Sequence, residues 1–220
     1  MNLTEAMNER HSVRQYTDQP LDEAVISALR QEIDDCNKES GLHIQLVTNE
    51  PKAFDGFMAH YGKFSGVTDY IAMIGKKGPA LDEKCGYYGE RLVLLAQQLG
   101  LNTCWVALTY SKIKTAFEVR SGEKLCIVIA IGYGLNQGVP HKSKAFGDVA
   151  QGDAPDWFKK GVEAALLAPT AMNQQKFLFT LKDNRVSVKA GMGFYTKIDL
   201  GIVKYHFEAG AGKNGWEWSE

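Results

Sequence analysis

Arg10-His11-Ser12-Val13-Arg14 places two guanidiniums around a hydroxyl at alternating positions. In an extended chain positions 10, 12 and 14 point to one side, because side-chain direction there has a period of two. That face carries two planar, permanently charged forks and an O–H donor, the chemistry that grips a phosphate. The alternative reading is a solvated edge strand whose charges discourage aggregation. Lys142-Ser143-Lys144 repeats the alternation downstream of an apolar run and Gly132-Tyr133-Gly134. Four cations suit one dianionic phosphate, since each charge-assisted bond contributes about 1.5–3 kcal/mol.

A second stretch is Ala168-Pro169-Thr170-Ala171-Met172-Asn173-Gln174-Gln175. Its proline by itself supplies a helix stop and loop. Together the two stretches resemble the nitroreductase family, which has R-x-S-x-R/K near its start and A-P-S-x-x-N-x-Q between a helix and a strand. Thr170 stands for the family's Ser. Two departures are visible: the motifs are separated by almost the whole chain, and Lys176-Phe177 replaces the usual Pro-Trp, so contacts on the substrate side differ.

The resemblance implies non-covalent FMN, with NAD(P)H as electron donor and a nitroaromatic, quinone or similar small molecule as acceptor in a ping-pong reaction. Arg10, Ser12, Arg14, Lys142 and Lys144 would hold phosphate and ribityl, with His11 adjoining them. Pro169, Thr170, Ala171 and Asn173 would frame the ring. Lys63 stands where the family often has a cation near flavin O2, although an exposed lysine reads equally well. Trp105-Val106-Ala107-Leu108 would run backbone past the N5–O4 edge, a role compatible with a buried segment. The flavin carries the redox chemistry, so no side chain is assigned as catalytic acid or base. Two rivals stand beside this reading: another flavin reaction on the same fold, such as dehalogenation or dehydrogenation, and a non-enzymatic flavin-binding or redox-sensing module.

Composition bounds these readings. With 45% apolar and 23% charged residues over 220 positions, the chain can bury a full core. A net charge of −1 argues against a general nucleic-acid or anionic-membrane binder. No apolar run reaches the ~20 residues of a membrane span, and the N-terminus does not read as a signal peptide. Cys36, Cys85, Cys104 and Cys126 are widely spaced, which points to reduced thiols and a cytoplasmic protein. The scattered histidines form no metal motif, and neither Gly132-Tyr133-Gly134 nor Gly191-Met192-Gly193 completes a dinucleotide fingerprint.

The elements that must position these groups read as α+β, with a central, mostly antiparallel sheet flanked by helices. Asn2 and Glu5 form a capping box opening a helix through Arg10. Leu21 to Asp35 is amphipathic, with Ile26, Leu29 and Ile33 on one stripe. His43 to Val47 and Tyr70 to Gly75 read as strands, Ala53 to Tyr61 as a short helix and Leu81 to Leu99 as the longest one. A short helix is expected over Ser111 to Phe117, a central strand over Leu125 to Gly132, and a loop from Gly134 to Asp153. Pro155 opens a further helix at its first turn, and Asp183-Asn184 joins two strands. Thr196 with Asp199 caps a last helix through Ala209, stopped by Gly210 and Gly212.

Helix, strand, strand, long helix, Gly, Trp describes residues 22–105 and again residues 155–216. The expected organisation is a first half, 1–150, carrying the phosphate-binding residues and a shorter second half, 151–220, supplying the ring loop. The chain would then be a monomer imitating a dimer, or a weak homodimer.

Overall fold

Asn2 caps the first helix as its spacing to Glu5 predicts. Its Oδ1 accepts from the Glu5 amide at 2.9 Å, and the Glu5 carboxylate accepts in return from the Asn2 amide. The helix, α1, covers Leu3–Glu9 and leaves Arg10 in extended backbone. The computed structural model describes residues 1–152, 154–213 and 215–219, so the Asp153 end of the expected loop lies outside the described residues.

The first half continues with α2 (Glu23–Ser40), β1 (Gln45–Val47), α3 (Phe57–Tyr61), β2 (Asp69–Lys76), α4 (Leu81–Gln98), β3 (Asn102–Val106) and β4 (Glu123–Gly132). Its sheet has the order β1-β2-β4-β3, with every neighbouring pair antiparallel. The continuous apolar run of β4 is explained by burial on both faces. Ile127, Ile129 and Ile131 join the core under α2 and α4, whereas Val128 and Ala130 face a second cluster with Phe54, Phe64 and Tyr16.

The second sheet begins at Ala150, just ahead of the boundary expected between 150 and 151, and the elements around it are α5 (Phe146–Val149), β5 (Ala150–Gln151), α6 (Asp156–Ala165), β6 (Phe177–Lys182), β7 (Arg185–Ala190), α7 (Thr196–Ala211) and β8 (Glu217–Trp218). The order is β5-β6-β7-β8. The central hairpin is antiparallel and turns at Asp183 with φ +55, and the two outer pairs are parallel. One core cluster runs from Leu29 and Leu92 through Phe158, Phe179 and Phe207, drawing on both halves.

α4 and α7 pack across each other at paired glycines. A Cβ added to Gly86 would lie 2.0 Å from the Ile198 carbonyl oxygen, and one added to Gly201 would lie 2.0 Å from that of Glu83. Glycine and the carbonyl it meets hold the same positions within each helix, as in a contact between two copies of one surface.

Several expected elements differ. α2 runs on past Asp35 to Ser40, where Gly41 at φ +70 supplies the left-handed cap. Ala53 to Tyr61 divides into a 3-10 turn, Pro51–Phe54, and α3. No helix forms over Ser111 to Phe117; the Ser111 amide instead donates to the Ala53 carbonyl. The Gly134–Asp153 stretch carries α5 and β5. Pro155 is the N-cap of α6, one place ahead of the first turn. Tyr195, not Thr196, precedes α7, and neither Thr196 nor Asp199 caps it. Gly210 is internal to α7, since a Cβ there would meet the Lys160 carbonyl oxygen at 2.5 Å; Gly212 at φ +74 ends the helix.

Candidate active site

The segment after α1 cannot continue as helix once it is drawn alongside β3. The Val13 amide donates to the Thr103 carbonyl at 3.0 Å, and farther on the Tyr16 amide donates to the Ser65 carbonyl at 3.0 Å. Val13 and Tyr16 are buried, and the Tyr16 hydroxyl donates to the Val13 carbonyl at 2.7 Å. Ser12 and Arg14 are thereby turned outward together, as the alternation predicts.

The other wall comes from the chain after α6. Pro169 prevents the helix from extending, and the following turn is strained. Met172, Asn173 and Gln175 have φ of +52, +52 and +44, each costing of order 1–3 kcal/mol for a residue with a Cβ. Hydrogen bonds hold that conformation. Asp199 Oδ1 accepts from the Ala171 amide at 2.9 Å, and Asp199 Oδ2 accepts from Gln174 Nε2 at 2.7 Å. Gln175, 2% exposed, donates through Nε2 to the Lys142 carbonyl and to Asn173 Oδ1, and its Oε1 accepts from the Lys144 amide.

Two contiguous cavities lie between the walls. One, of about 130 Å³, is lined by Ser12, Arg14, Trp105, Ala107, Ala171 and Asp199 among others. The second, of about 280 Å³, is lined by Arg10, His11, His141, Asn173 and again Ser12 and Arg14. Pro169, Thr170 and Met172 border both. The first is the smaller, with Pro169, Thr170, Ala171 and Met172 on the loop side. The second gathers cations. Larger cavities exist, such as one of about 460 Å³ beside Tyr87, Tyr88 and Arg91, but Arg91 there is already paired with Glu32 and Glu39.

Arg10 lines the cationic cavity yet is 3% exposed, set into the protein beside Glu90. Its Nε hydrogen-bonds to nothing, and Nη2 donates to the Leu167 carbonyl at 3.4 Å, a long bond. Burial pulls the guanidinium below its ordinary pKa, and Glu90 opposes that pull. The exposed Arg14 forms no ion pair among the described residues and lies 6.0 Å over the Phe64 ring. Burial, then the charge of Arg10, lowers the pKa of His11.

The sequence-derived lysines are placed differently from expectation. Lys144 Nζ donates to the Gln175 carbonyl at 2.9 Å, so it fastens the loop. Lys142 contributes its carbonyl to Asn173 Nδ2 and Gln175 Nε2. Neither lysine lines either cavity; His141, one residue earlier, does. The cause is local: this segment lies alongside the loop, and that pairing consumes its polar groups. Lys63, exposed after α3 at φ +63, also lies outside both cavities. Of Trp105 to Leu108, Trp105 and Ala107 line the smaller cavity, Val106 is buried and Leu108 is 69% exposed.

Asp199, Glu90, His206 and His141 were not singled out as site residues from sequence. Asp199 read as a helix cap. Burial lifts its carboxyl to about 6, against the two bonds it accepts. The available signal was a carboxylate set between Ile198 and Ile202, in an apolar stretch where a solvated charge has no place. Glu90, next to Arg91, and His206, between Lys204 and Glu208, carry no such local signal.

A family model described as "Putative TM nitroreductase" matches residues 2–211. Among solved structures, a "putative nitroreductase" from Thermotoga maritima is similar at TM-score 0.64 and 23% identity, covering 94% of this chain and 82% of that one. A nitroreductase family protein from Streptococcus pneumoniae is similar at TM-score 0.55 and 14% identity, covering 69% and 100%. A "putative nitroreductase in complex with FMN" from Desulfovibrio desulfuricans is similar at TM-score 0.52 and 14% identity, covering 67% and 94%. No curated protein sequence matches the chain. With the family model spanning nearly the whole sequence, and the same fold in these structures, the chain belongs to the nitroreductase family.

Proposed function

We propose that this chain binds FMN between its two halves and is an oxidoreductase that uses NAD(P)H to reduce nitroaromatics, quinones or similar acceptors in a ping-pong cycle. One observation carries the reading. Arg10, Ser12 and Arg14, near the start, share their cavities with Pro169, Thr170 and Asn173, almost a chain length away. A smaller cavity joined to a cationic one suits a flavin ring joined to a phosphate.

The donors fit that group. Arg10 offers a buried Nε with no partner, and Arg14 is exposed with no counter-ion among the described residues. Ser12 adds a hydroxyl beside them. Bound FMN would supply hydride chemistry at its N5. The protein's part is to hold the phosphate, press small residues against one side of the ring, and run the Trp105–Ala107 backbone along an edge. Lys142 and Lys144 act in this account by fixing the loop. A reducing cytoplasm fits the four free thiols.

Extraction and titration test the reading. Boiled protein should release FMN into the supernatant, and flavin-free protein should bind FMN far more tightly than riboflavin. Arg14→Ala should remove about tenfold or more of that preference, the worth of a charge-assisted bond. Protein that releases no flavin and binds neither compound would end the proposal.

A further inference from the structure

Beneath the cationic cavity lies a fully buried cluster from three elements: Arg10 after α1, Glu90 in α4 and His206 in α7. Glu90 and His206 are both 0% exposed. His206 Nδ1 lies 3.0 Å from the Ala164 carbonyl oxygen, which can only accept, so Nδ1 carries a hydrogen. His206 Nε2 lies 2.8 Å from Glu90 Oε1. Two bare lone pairs would repel at that distance, so a proton lies between them. The other carboxylate oxygen, Oε2, accepts from Trp105 Nε1 at 3.0 Å. Whichever partner holds the shared proton, Glu90 and His206 together are neutral.

Arg10 is therefore a buried cation without a net counter-charge. Its Nε stands 3.9 Å from Glu90 Oε1 with no hydrogen bond. The neighbouring Cys104 thiol is kept neutral by burial and supplies no charge. A guanidinium in this condition is poorly satisfied until an anion arrives, and the cavity it lines is where one would arrive.

We propose that Glu90 and His206 are positioning residues: as a neutral, proton-bridged pair they stand beside Arg10 without cancelling its charge, which stays free for the phosphate of the flavin nucleotide. This rests on the FMN reading above. Trp105, which lines the smaller cavity, donates to the same carboxyl group.

The test is the ratio of riboflavin to FMN dissociation constants for flavin-free protein, followed by flavin fluorescence. His206→Gln removes the shared proton and leaves Glu90 anionic against Arg10, so FMN preference should fall about tenfold. Glu90→Gln, whose amide can donate to His206 Nε2 and accept from Trp105 Nε1, is the reference in which no charge faces Arg10. Combining the two should restore what His206→Gln lost, a rescue that a purely structural role would not give. Should His206→Gln fail to fold, His206→Asn takes its place, with inorganic phosphate as a second probe: phosphate should raise the melting temperature of wild type more than that of the His206 variant. Unchanged preference in a folded His206 variant, absence of rescue in the pair, or equal phosphate shifts in wild type and the His206 variant would overturn the positioning role and leave the flavin reading standing. Wild-type protein that binds neither flavin would overturn both.

Discussion

The N-terminal ends of α4 and α7 hold matching places at the helix crossing but differ in what they grip. In each helix the fourth residue reaches backbone at or just past the C-terminal end of an earlier helix, α2 for α4 and α6 for α7. In α4 this is Lys84, whose Nζ donates to the Ser40 carbonyl at 2.7 Å. In α7 it is Asp199, which accepts from the Ala171 amide at 2.9 Å. The signs follow the backbone groups on offer. α2 continues to its end and presents bare carbonyls, which suit a cation. The chain after α6 is broken by Pro169 and turns amides inward, which suit an anion.

The consequence is one covered end and one accessible end. α2 is 18 residues long, α6 only 10. At the α4 end Glu83 pairs with Lys204, which lies 5.4 Å over the Trp218 ring, while Trp218 Nε1 donates to Glu208 at 2.8 Å. Ion pairs and aromatics fill that end. At the α7 end the strained turn leaves Pro169, Thr170 and Ala171 facing a cavity. The helices match in the positions of their paired glycines. The sheets match less well, one wholly antiparallel and the other parallel at both edges. We read the chain as a fused pair of related halves that keeps a single site.

Gly201→Ala would set a Cβ against the Glu83 carbonyl oxygen and the Tyr87 amide nitrogen, backbone atoms that cannot step aside. Loss of about 3 kcal/mol in urea denaturation is expected, with a similar loss for Gly86→Ala. Wild-type stability in either variant would mean the helices do not meet there.

Asp199→Ala frees both the Ala171 amide and Gln174, and FMN affinity should fall about tenfold, the worth of a charged acceptor. Lys84→Met should leave FMN affinity unchanged and cost at most about 0.5 kcal/mol, since the ammonium is exposed. Equal effects on flavin binding would erase the distinction between the ends.

A smaller effect is tied to pH. Burial raises the Asp199 carboxyl to about 6 from 3.8. The native state therefore keeps a proton that the unfolded chain gives up. That contribution to stability is fully present below about pH 4 and is lost as pH rises through about 6. The stability of wild type relative to Asp199→Asn should accordingly fall by about 2 kcal/mol over this window and then level off. Parallel curves from pH 4 to 7 would show that Asp199 titrates as a solvated carboxylate.

The two motifs and most long elements were legible because they rest on local physics. Alternation in Arg10–Arg14, the stripe of α4 and the proline stop at Pro169 are written in neighbouring residues. What escaped depended on residues distant in sequence. The lysines of Lys142-Ser143-Lys144 read as phosphate ligands because nothing nearby revealed that Gln175 would occupy Lys144. Arg10 read as a phosphate fork on the same face as Arg14, and its burial beside Glu90 was not visible because Glu90 comes from another element. Asp199 satisfied a local capping pattern, and only tertiary contact with Ala171 gave it different work. Gly210 read as a stop for the same reason: its close approach to Lys160 is invisible along the chain.

Flavin stoichiometry and chain mixing decide whether one chain builds one complete site from both its halves. Titration of flavin-free protein should saturate at one FMN per chain. A chain carrying Arg10→Ala and Arg14→Ala, co-refolded with a chain altered at Pro169 and Asn173, should bind no more FMN than the two measured separately. Two FMN per chain, or recovery of binding in the mixture, would show that the site forms elsewhere or between chains, and would contradict the account.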